Sequence, residues 1–202
     1  GQTRRSLVQF YRRVLTSKDS VFLMSGNTQG SISRNCINGD FGFVAISGHK
    51  AQQRTDTDGS KFLLVPPPTG DDREQIKIYY CGADNISAFK KIRGLSLGGW
   101  YADEINLHHR EFVEEAERRL FAASDPFTIW TLNPDVPGHW LYKERIDKFM
   151  GLPGYKWQHF TLDDNPAFTP ERKKEIRSRY SGVFYDRYIL GKRVRAEGVC
   201  YP

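Results

Sequence analysis

With 202 residues and 39% hydrophobic content, the chain can bury one substantial core or at most two small domains, which excludes a disordered protein. No apolar run approaches the roughly 20 residues of a membrane span, and we expect no secretory signal. The three scattered cysteines fit neither a disulfide framework nor a metal-binding pattern. Its formal net charge of +6 is compatible with a polyanionic partner such as DNA or a nucleotide.

The first half of the chain alternates between helical and strand-like apolar patterns. We expect helices over 4–15, from 28–31 to 38–39 and over 86–92, and strands over 21–24, 41–46, 61–65 and 76–81. The stretch 41–83 is therefore β-rich, and Asp58-Gly59 is typical of a hairpin turn within it.

The second half of the chain begins with a strand at 100–102, a helix at 111–120 and another strand at 127–132. This order predicts a right-handed crossover that joins two parallel strands. Farther on, we expect a helix over 140–149, a strand over 157–162 and a helix that begins at Thr169-Pro170, where threonine caps the first turn. Four aromatic residues of this half are assigned to the core: Trp140, Trp157, Phe160 and Phe184.

Two adjacent carboxylates, Asp103 and Glu104, directly follow the apolar run 100–102. The carboxyl ends of parallel strands form the ligand-binding edge of an open α/β sheet. An aspartate there suits Mg²⁺, and a following glutamate suits the orientation or deprotonation of an attacking water, as in the Walker B motif of ATPases. The alternative is a strand that runs into a solvated acidic turn.

Two other features accompany the acidic pair. Gly1-Gln2-Thr3 directly precedes a helix, as the end of a phosphate-binding loop does, and Asn133 follows the next strand along the chain. Together they predict an α/β fold of the P-loop NTPase type with a catalytic glutamate. Its sheet is mostly parallel and flanked by helices, with a β-rich insertion around 41–83.

The amino-acid sequence of several stretches points to one family within the P-loop NTPases. The run from Lys91 to Glu104 is similar to the Walker B region of the large terminase subunits of tailed bacteriophages, and 131–141 resembles their coupling motif. Residues 164–166, 180–185 and 191–198 are similar to the segments that close the ATPase domain of that family. The resemblance is densest over 76–202 and implies one terminase-type ATPase domain over 1–202, without the nuclease domain that usually follows it.

The resemblance implies an ATP hydrolase that drives double-stranded DNA into a procapsid. ATP and Mg²⁺ are the implied ligands. Portal protein and the small terminase subunit are the implied partners, in a ring of subunits whose isolated ATPase domain is expected to be monomeric. The implied location is the cytoplasm of an infected or lysogenic bacterial host, since the resemblance implies a phage or prophage source.

The phosphate loop departs from the family pattern. Gly1-Gln2-Thr3 matches only the last three positions of G-x-x-x-x-G-K-[ST], and Gln2 stands where lysine neutralises phosphate charge. The explanations left open are an engineered or natural lysine-to-glutamine change, an inactive relative, and a coincidental Gly1. The alternative function is therefore a catalytically inactive scaffold that binds DNA or protein.

The resemblance also implies roles for individual residues. Glu104 is the expected catalytic carboxylate, Asp103 the expected Mg²⁺ ligand, and Asn133 the expected sensor or coupling residue. Gly1, Gln2 and Thr3 are expected to hold the nucleotide, with Thr3 also on Mg²⁺, although Thr3 is equally compatible with a plain helix cap. Arg93 is expected to contact phosphate or a neighbouring subunit, or to be a solvated charge.

His108 and His109 lie near the acidic pair but are not expected to bind one metal ion, because adjacent helical residues point about 100° apart. We assign both to the surface or to the start of a helix. The basic residues of 172–179 are assigned to DNA phosphate or to a solvated helix face.

Overall fold

Six strands form one mixed sheet in a computed structural model that describes residues 2–165 and 167–195. The strands are β1 (Val21–Gly26), β2 (Gln52–Thr55), β3 (Lys61–Val65), β4 (Ile76–Gly82), β5 (Gly99–Ala102) and β6 (Phe127–Trp130). Their order across the sheet is β2-β3-β4-β1-β5-β6. Strands β4, β1, β5 and β6 are parallel, and β2 and β3 add an antiparallel edge. The predicted mostly parallel α/β sheet is confirmed.

The described chain divides into two compact units, 2–131 and 132–195. The first contains the sheet and helices α1 (Gln2–Thr16), α2 (Gln29–Ile32, continued by a π-helix over Ser33–Ile37), α3 (Phe43–Ile46) and α4 (Arg110–Arg119), with 3₁₀ turns at Ala88–Ile92 and Ile105–Leu107. The second contains a π-helix (Tyr142–Ile146), α5 (Asp147–Phe149), a 3₁₀ turn (Leu162–Asp164), α6 (Pro170–Ser178) and α7 (Gly182–Tyr188). None of the helices in the ranges 2–165 and 167–195 combines the length and apolar character that a membrane span needs.

Helix α1 packs on the sheet through one apolar stripe. Leu7, Phe10 and Val14 are fully buried at helical spacing, as the sequence pattern predicted. The Phe10 ring lies 5.7 Å from the ring of Tyr101 in β5 and 5.7 Å from that of Phe127 in β6. The helix is therefore held against the two strands that precede Asp103 and Thr131.

Two glycines allow close backbone packing next to these strands. A Cβ atom on Gly99 would lie 2.3 Å from the Phe127 ring, and one on Gly82 would lie 2.5 Å from the backbone nitrogen of Gln29. Neither site has room for a side chain. Gly99 thus lets β5 and β6 lie against the Phe127 ring, and Gly82 lets the first turn of α2 approach the end of β4.

The prediction of a strand over 41–46 is wrong. Residues 43–46 form the short helix α3, which Gly42 begins in extended conformation, and only Phe43 among them is fully buried. The apolar run 43–46 is too short for its period to separate helix from strand, and a tight turn at Gly42 decides for the helix. Strand β2 lies later, in the polar stretch 52–55, and pairs with β3 through the predicted turn at Asp58-Gly59.

The prediction of a strand over 157–162 is also wrong. These residues are irregular up to the 3₁₀ turn at 162–164, which Thr161 and Asp164 close as a capping box. No strand occurs among the described residues of 132–195, so an extended segment there has no backbone partner. Of the aromatic residues assigned to the core, Trp157 is 39% exposed and Phe184 is 61% exposed.

A buried arginine fastens the end of α1. Arg73 donates hydrogen bonds to the carbonyl oxygens of Val14 and Leu15 at 3.0 Å each, and to that of Asp19 at 2.8 Å. Its guanidinium also pairs with the Asp71 carboxylate at 2.6 Å, which lowers the pKa of Asp71 to about 2. Positive charge at a helix C-terminus satisfies carbonyl groups that have no partner within the helix.

We expect Arg73→Met to lower the free energy of unfolding by about 2–3 kcal/mol, because it leaves three carbonyl groups without their donor and removes the ion pair with Asp71. Urea unfolding followed by circular dichroism measures this change. The matched control is Arg54→Met on the exposed strand β2, which should change stability by less than about 0.5 kcal/mol. Equal effects of the two substitutions would contradict a structural role for Arg73.

Candidate functional site

Asp103 and Thr131 lie side by side at the carboxyl ends of β5 and β6. The Thr131 hydroxyl donates a hydrogen bond to Oδ1 of Asp103 at 2.8 Å, and Thr131 and Asp103 are only 6% and 7% exposed. The backbone N–H of Asp103 donates to the carbonyl of Ser25 in β1 at 2.8 Å. A single buried carboxylate is thus fixed at the ligand-binding edge of the parallel sheet.

Glu104 follows in a left-handed backbone conformation, with φ 54° and ψ 53°. Among the described residues other than glycine, only His49 shares a positive φ. The N–H of Glu104 donates to the hydroxyl of Thr131 at 3.1 Å, and the N–H of Ile105 donates to the Thr131 carbonyl at 2.9 Å. Strained backbone of this kind persists only where its surroundings hold it, which is common at functional sites.

A buried polar group lies beneath this turn. Nε1 of Trp100 donates to Oγ of Ser25 at 2.8 Å, and the same Oγ lies 2.8 Å from Nε2 of His108. His108 is 4% exposed. Its burial lowers its pKa to about 4, although the carbonyl groups of Glu104 and Ser25 favour the charged form. The imidazole is therefore neutral at pH 7.

The assignment of His108 to the surface or a helix start is wrong. Its ring fills the space between Trp100 and Phe112, at centroid distances of 6.5 Å and 5.8 Å. The ring is buried because it contacts apolar neighbours and the Ser25 hydroxyl. The polar residues next to it in the sequence give no sign of this burial. His109 does start a helix, since it is the N-cap of α4 and accepts a hydrogen bond from the N–H of Glu111.

The first turn of α1 lies beside the same strands. Oγ of Ser6 bonds the carbonyl of Thr3 at 2.9 Å and lies 3.2 Å from the Tyr101 hydroxyl. The half-buried Thr3 is thus one helical turn from Ser6, whose hydroxyl lies next to Tyr101, a residue of β5 two positions before Asp103. The expectation for Gly1 falls outside the described residues, and the roles of Gln2 and Thr3 stay predictions.

Arg93 and Asn133 are both exposed. Arg93 is exposed, and its guanidinium lies 4.8 Å from the ring of Phe89 in its own loop. Asn133 is exposed and belongs to the unit 132–195, two residues after Thr131. Their expected roles stay predictions.

The donor atoms at this edge suit a magnesium ion that a nucleotide would share. Mg²⁺ prefers oxygen ligands and usually takes only one or two carboxylates, with phosphates and waters completing its shell. Asp103 offers such a carboxylate, and its Oδ1 is already oriented by Thr131. No cluster of three or more histidine, cysteine or acidic residues occurs in the part of the chain that the structure describes.

Thr131, Ser25 and His108 were not singled out from the sequence as site residues. Thr131 carries the one available signal, because a hydroxyl residue directly after a strand that neighbours Asp103 can reach that carboxylate. Ser25 and His108 are 83 positions apart, and no spacing pattern relates them.

Solved structures of the large terminase from a thermophilic bacteriophage have the same fold as this chain. One crystal form superposes with a TM-score of 0.78 and 28% sequence identity, over 96% of this chain and 46% of the terminase. Its complex with ADP gives 0.77 and 27% over 96% and 46%, and its complex with ATP-γ-S gives 0.71 and 26% over 94% and 43%. The expected likeness to the large terminases is confirmed.

The chain spans less than half the length of these terminases. No protein-family model and no curated protein matches it.

We expect stability to fall as the pH is lowered from 6.5 to 4, because the unfolded chain then binds a proton at His108 that the folded chain does not. The contribution is complete above pH 6.5, changes no further below pH 4, and amounts to about 3 kcal/mol. Urea unfolding at a series of pH values measures it. His108→Gln should flatten the profile, and His49→Asn, at an exposed site, should leave the profile as steep as in the unmodified chain.

Proposed function

We propose that this chain is the ATPase part of a viral DNA-packaging motor, which couples ATP hydrolysis to the movement of double-stranded DNA into a procapsid. The observation that carries the proposal is the pair Asp103 and Glu104, fastened by Thr131 to the carboxyl edge of a parallel sheet. Its support is the likeness of this fold to a large terminase that has been solved with ADP and with ATP-γ-S.

In the proposed mechanism, Glu104 is the residue that orients and deprotonates the attacking water. Thr131 bonds the N–H groups of Glu104 and of the next residue, so the backbone from which the carboxylate projects is held before the nucleotide binds. Pre-organised groups of this kind cost no reorganisation at the moment of reaction.

Asp103 would hold Mg²⁺, with Thr3 as a second ligand. The Thr131 hydroxyl occupies one lone pair of Oδ1 of Asp103, and a carboxylate has further lone pairs that could serve the metal. Bound Mg²⁺ would supply neutralisation of charge on the phosphates. The amide groups of the first turn of α1 would hold phosphate oxygens, as helix N-termini do.

The unit 132–195 supports DNA as the track. It contains 13 lysines and arginines and eight aspartates and glutamates, so five of the six excess positive charges of the chain lie there. A local positive potential attracts duplex phosphates and raises the rate of association. Asn133 is proposed to sense the nucleotide or couple its hydrolysis to movement, and Arg93 to contact phosphate or a neighbouring subunit. Portal protein, the small terminase subunit and a ring of subunits in the host cytoplasm are the proposed partners and location.

Gln2 favours a second candidate function. A glutamine can donate hydrogen bonds to a phosphate but cannot offset its charge, and loss of one such electrostatic contact costs about 10²–10³ in rate. The chain would then be an inactive scaffold that binds DNA or protein. This candidate predicts no Mg²⁺-dependent binding of ATP, which isothermal titration calorimetry measures directly.

We expect the chain to hydrolyse ATP in a Mg²⁺-dependent reaction that Glu104→Gln reduces at least about 10²-fold, since the amide cannot accept a proton from water. Release of inorganic phosphate measures turnover. The matched control is Glu74→Gln, at an exposed loop position, which should retain full activity.

Thermal unfolding of both variants shows whether the fold is intact. Full turnover by Glu104→Gln would contradict the assigned role of Glu104. No turnover and no ATP binding by the unmodified chain would favour the scaffold.

A further inference from the structure

The hydroxyl of Ser25 joins two buried rings from different parts of the chain. Trp100 Nε1 is a donor only, so the Ser25 oxygen accepts that hydrogen bond. The same oxygen also bonds Nε2 of His108, as donor or acceptor according to the tautomer of the neutral imidazole. All three side chains are buried and cannot reach water, so their polar atoms depend on these bonds for hydrogen-bond partners.

His108 closes the short segment that Glu104 opens. The N–H of Leu107 donates to the carbonyl of Glu104 at 2.9 Å, and the N–H of His108 donates to that of Ile105 at 3.1 Å. The N–H of the next residue, His109, donates to the carbonyl of Ala83 at 2.7 Å. Residues 104–108 thus form one hydrogen-bonded turn that is anchored at its end.

The turn is held at both ends by different strands. At its start, Thr131 bonds the N–H groups of Glu104 and Ile105 from the end of β6. At its end, the ring of His108 is bonded to Ser25, the residue of β1 whose carbonyl also accepts the N–H of Asp103. A left-handed glutamate needs such support, because its backbone would otherwise relax to a common conformation.

We infer that His108 is a positioning residue, which acts through the turn 104–108 to hold Glu104 in its left-handed conformation, with Ser25 and Trp100 as its buried partners. This inference rests on the proposed function, in which Glu104 is the catalytic carboxylate. His108 itself contacts no reacting group. Its neutral ring is a hydrogen-bond partner of Ser25, and a residue that keeps a hydrogen-bonding group there should keep the turn in place.

The first arm of the test measures ATP turnover by the 202-residue chain. His108→Leu fills the space but accepts no hydrogen bond, whereas His108→Gln keeps an acceptor within reach of Ser25. We expect kcat to fall at least tenfold in His108→Leu with KM within threefold, since the nucleotide contacts are unchanged. His108→Gln should restore kcat to within threefold of the unmodified chain.

The second arm needs no activity. Amide hydrogen exchange is compared in Ser25→Ala and in the control Ser47→Ala, because Ser47 is also a buried serine with a bonded hydroxyl but lies outside the turn. We expect exchange at Glu104, Ile105 and His108 to accelerate at least tenfold beyond any change at Ile78 in the central sheet. Ser47→Ala should show no such excess.

Each result decides one of the two claims. The positioning role is overturned if exchange in Ser25→Ala is unchanged or accelerates equally in the turn and at Ile78. It is also overturned if the unmodified chain is active and His108→Leu has the same kcat. In another outcome the unmodified chain is inactive while Ser25→Ala still accelerates exchange only in the turn 104–108. That result contradicts the proposed function and supports the role of His108 in holding Glu104. Reduced kcat in both His108 variants with equal loss of thermal stability indicates a structural effect only and overturns the inference.

Discussion

The hydrogen bond between the Thr131 hydroxyl and Asp103 is the contact on which the candidate site depends. It joins the ends of β5 and β6, and it leaves Thr131 able to accept the N–H of Glu104 with the same oxygen. One buried hydroxyl therefore orients a carboxylate and constrains the backbone of the glutamate beside it. Such a contact is strong because both partners are shielded from water, and an unpaired carboxylate at this position would be costly.

The sheet supplies the conditions for that contact. Strand β5 lies between β1 and β6, and all three run parallel, so their carboxyl ends meet at one edge. Gly99 lets the Phe127 ring pass close to β5, and Phe10 of α1 packs on the adjoining face. The same packing brings the first turn of α1 near Tyr101, which is where a phosphate-binding helix has to lie for the proposed function.

Beneath the edge, Ser25 in β1 serves two purposes. Its carbonyl holds the backbone of Asp103, and its hydroxyl connects Trp100 with His108. The functional turn thus has a polar support within an otherwise apolar interior. Hydrogen bonds in a low-dielectric interior are stronger than in water, so this network favours one arrangement of its three side chains. Gln2, by contrast, supplies no positive charge at the position where the phosphate loop of P-loop ATPases carries a lysine.

Local sequence patterns by themselves determined most of the helices and strands and the acidic pair, because periodicity, capping residues and a run such as 100–102 act within a few residues. They failed at 41–46, where the apolar run is too short to show a period. They also failed at 157–162, because a strand there would need a neighbouring strand to pair with. Only the tertiary structure decided that Glu104 is left-handed, that His108 is buried, and that Thr131 and Ser25 hold the site. Those contacts join residues 28 and 83 positions apart, and their energy comes from burial, which the local sequence does not encode.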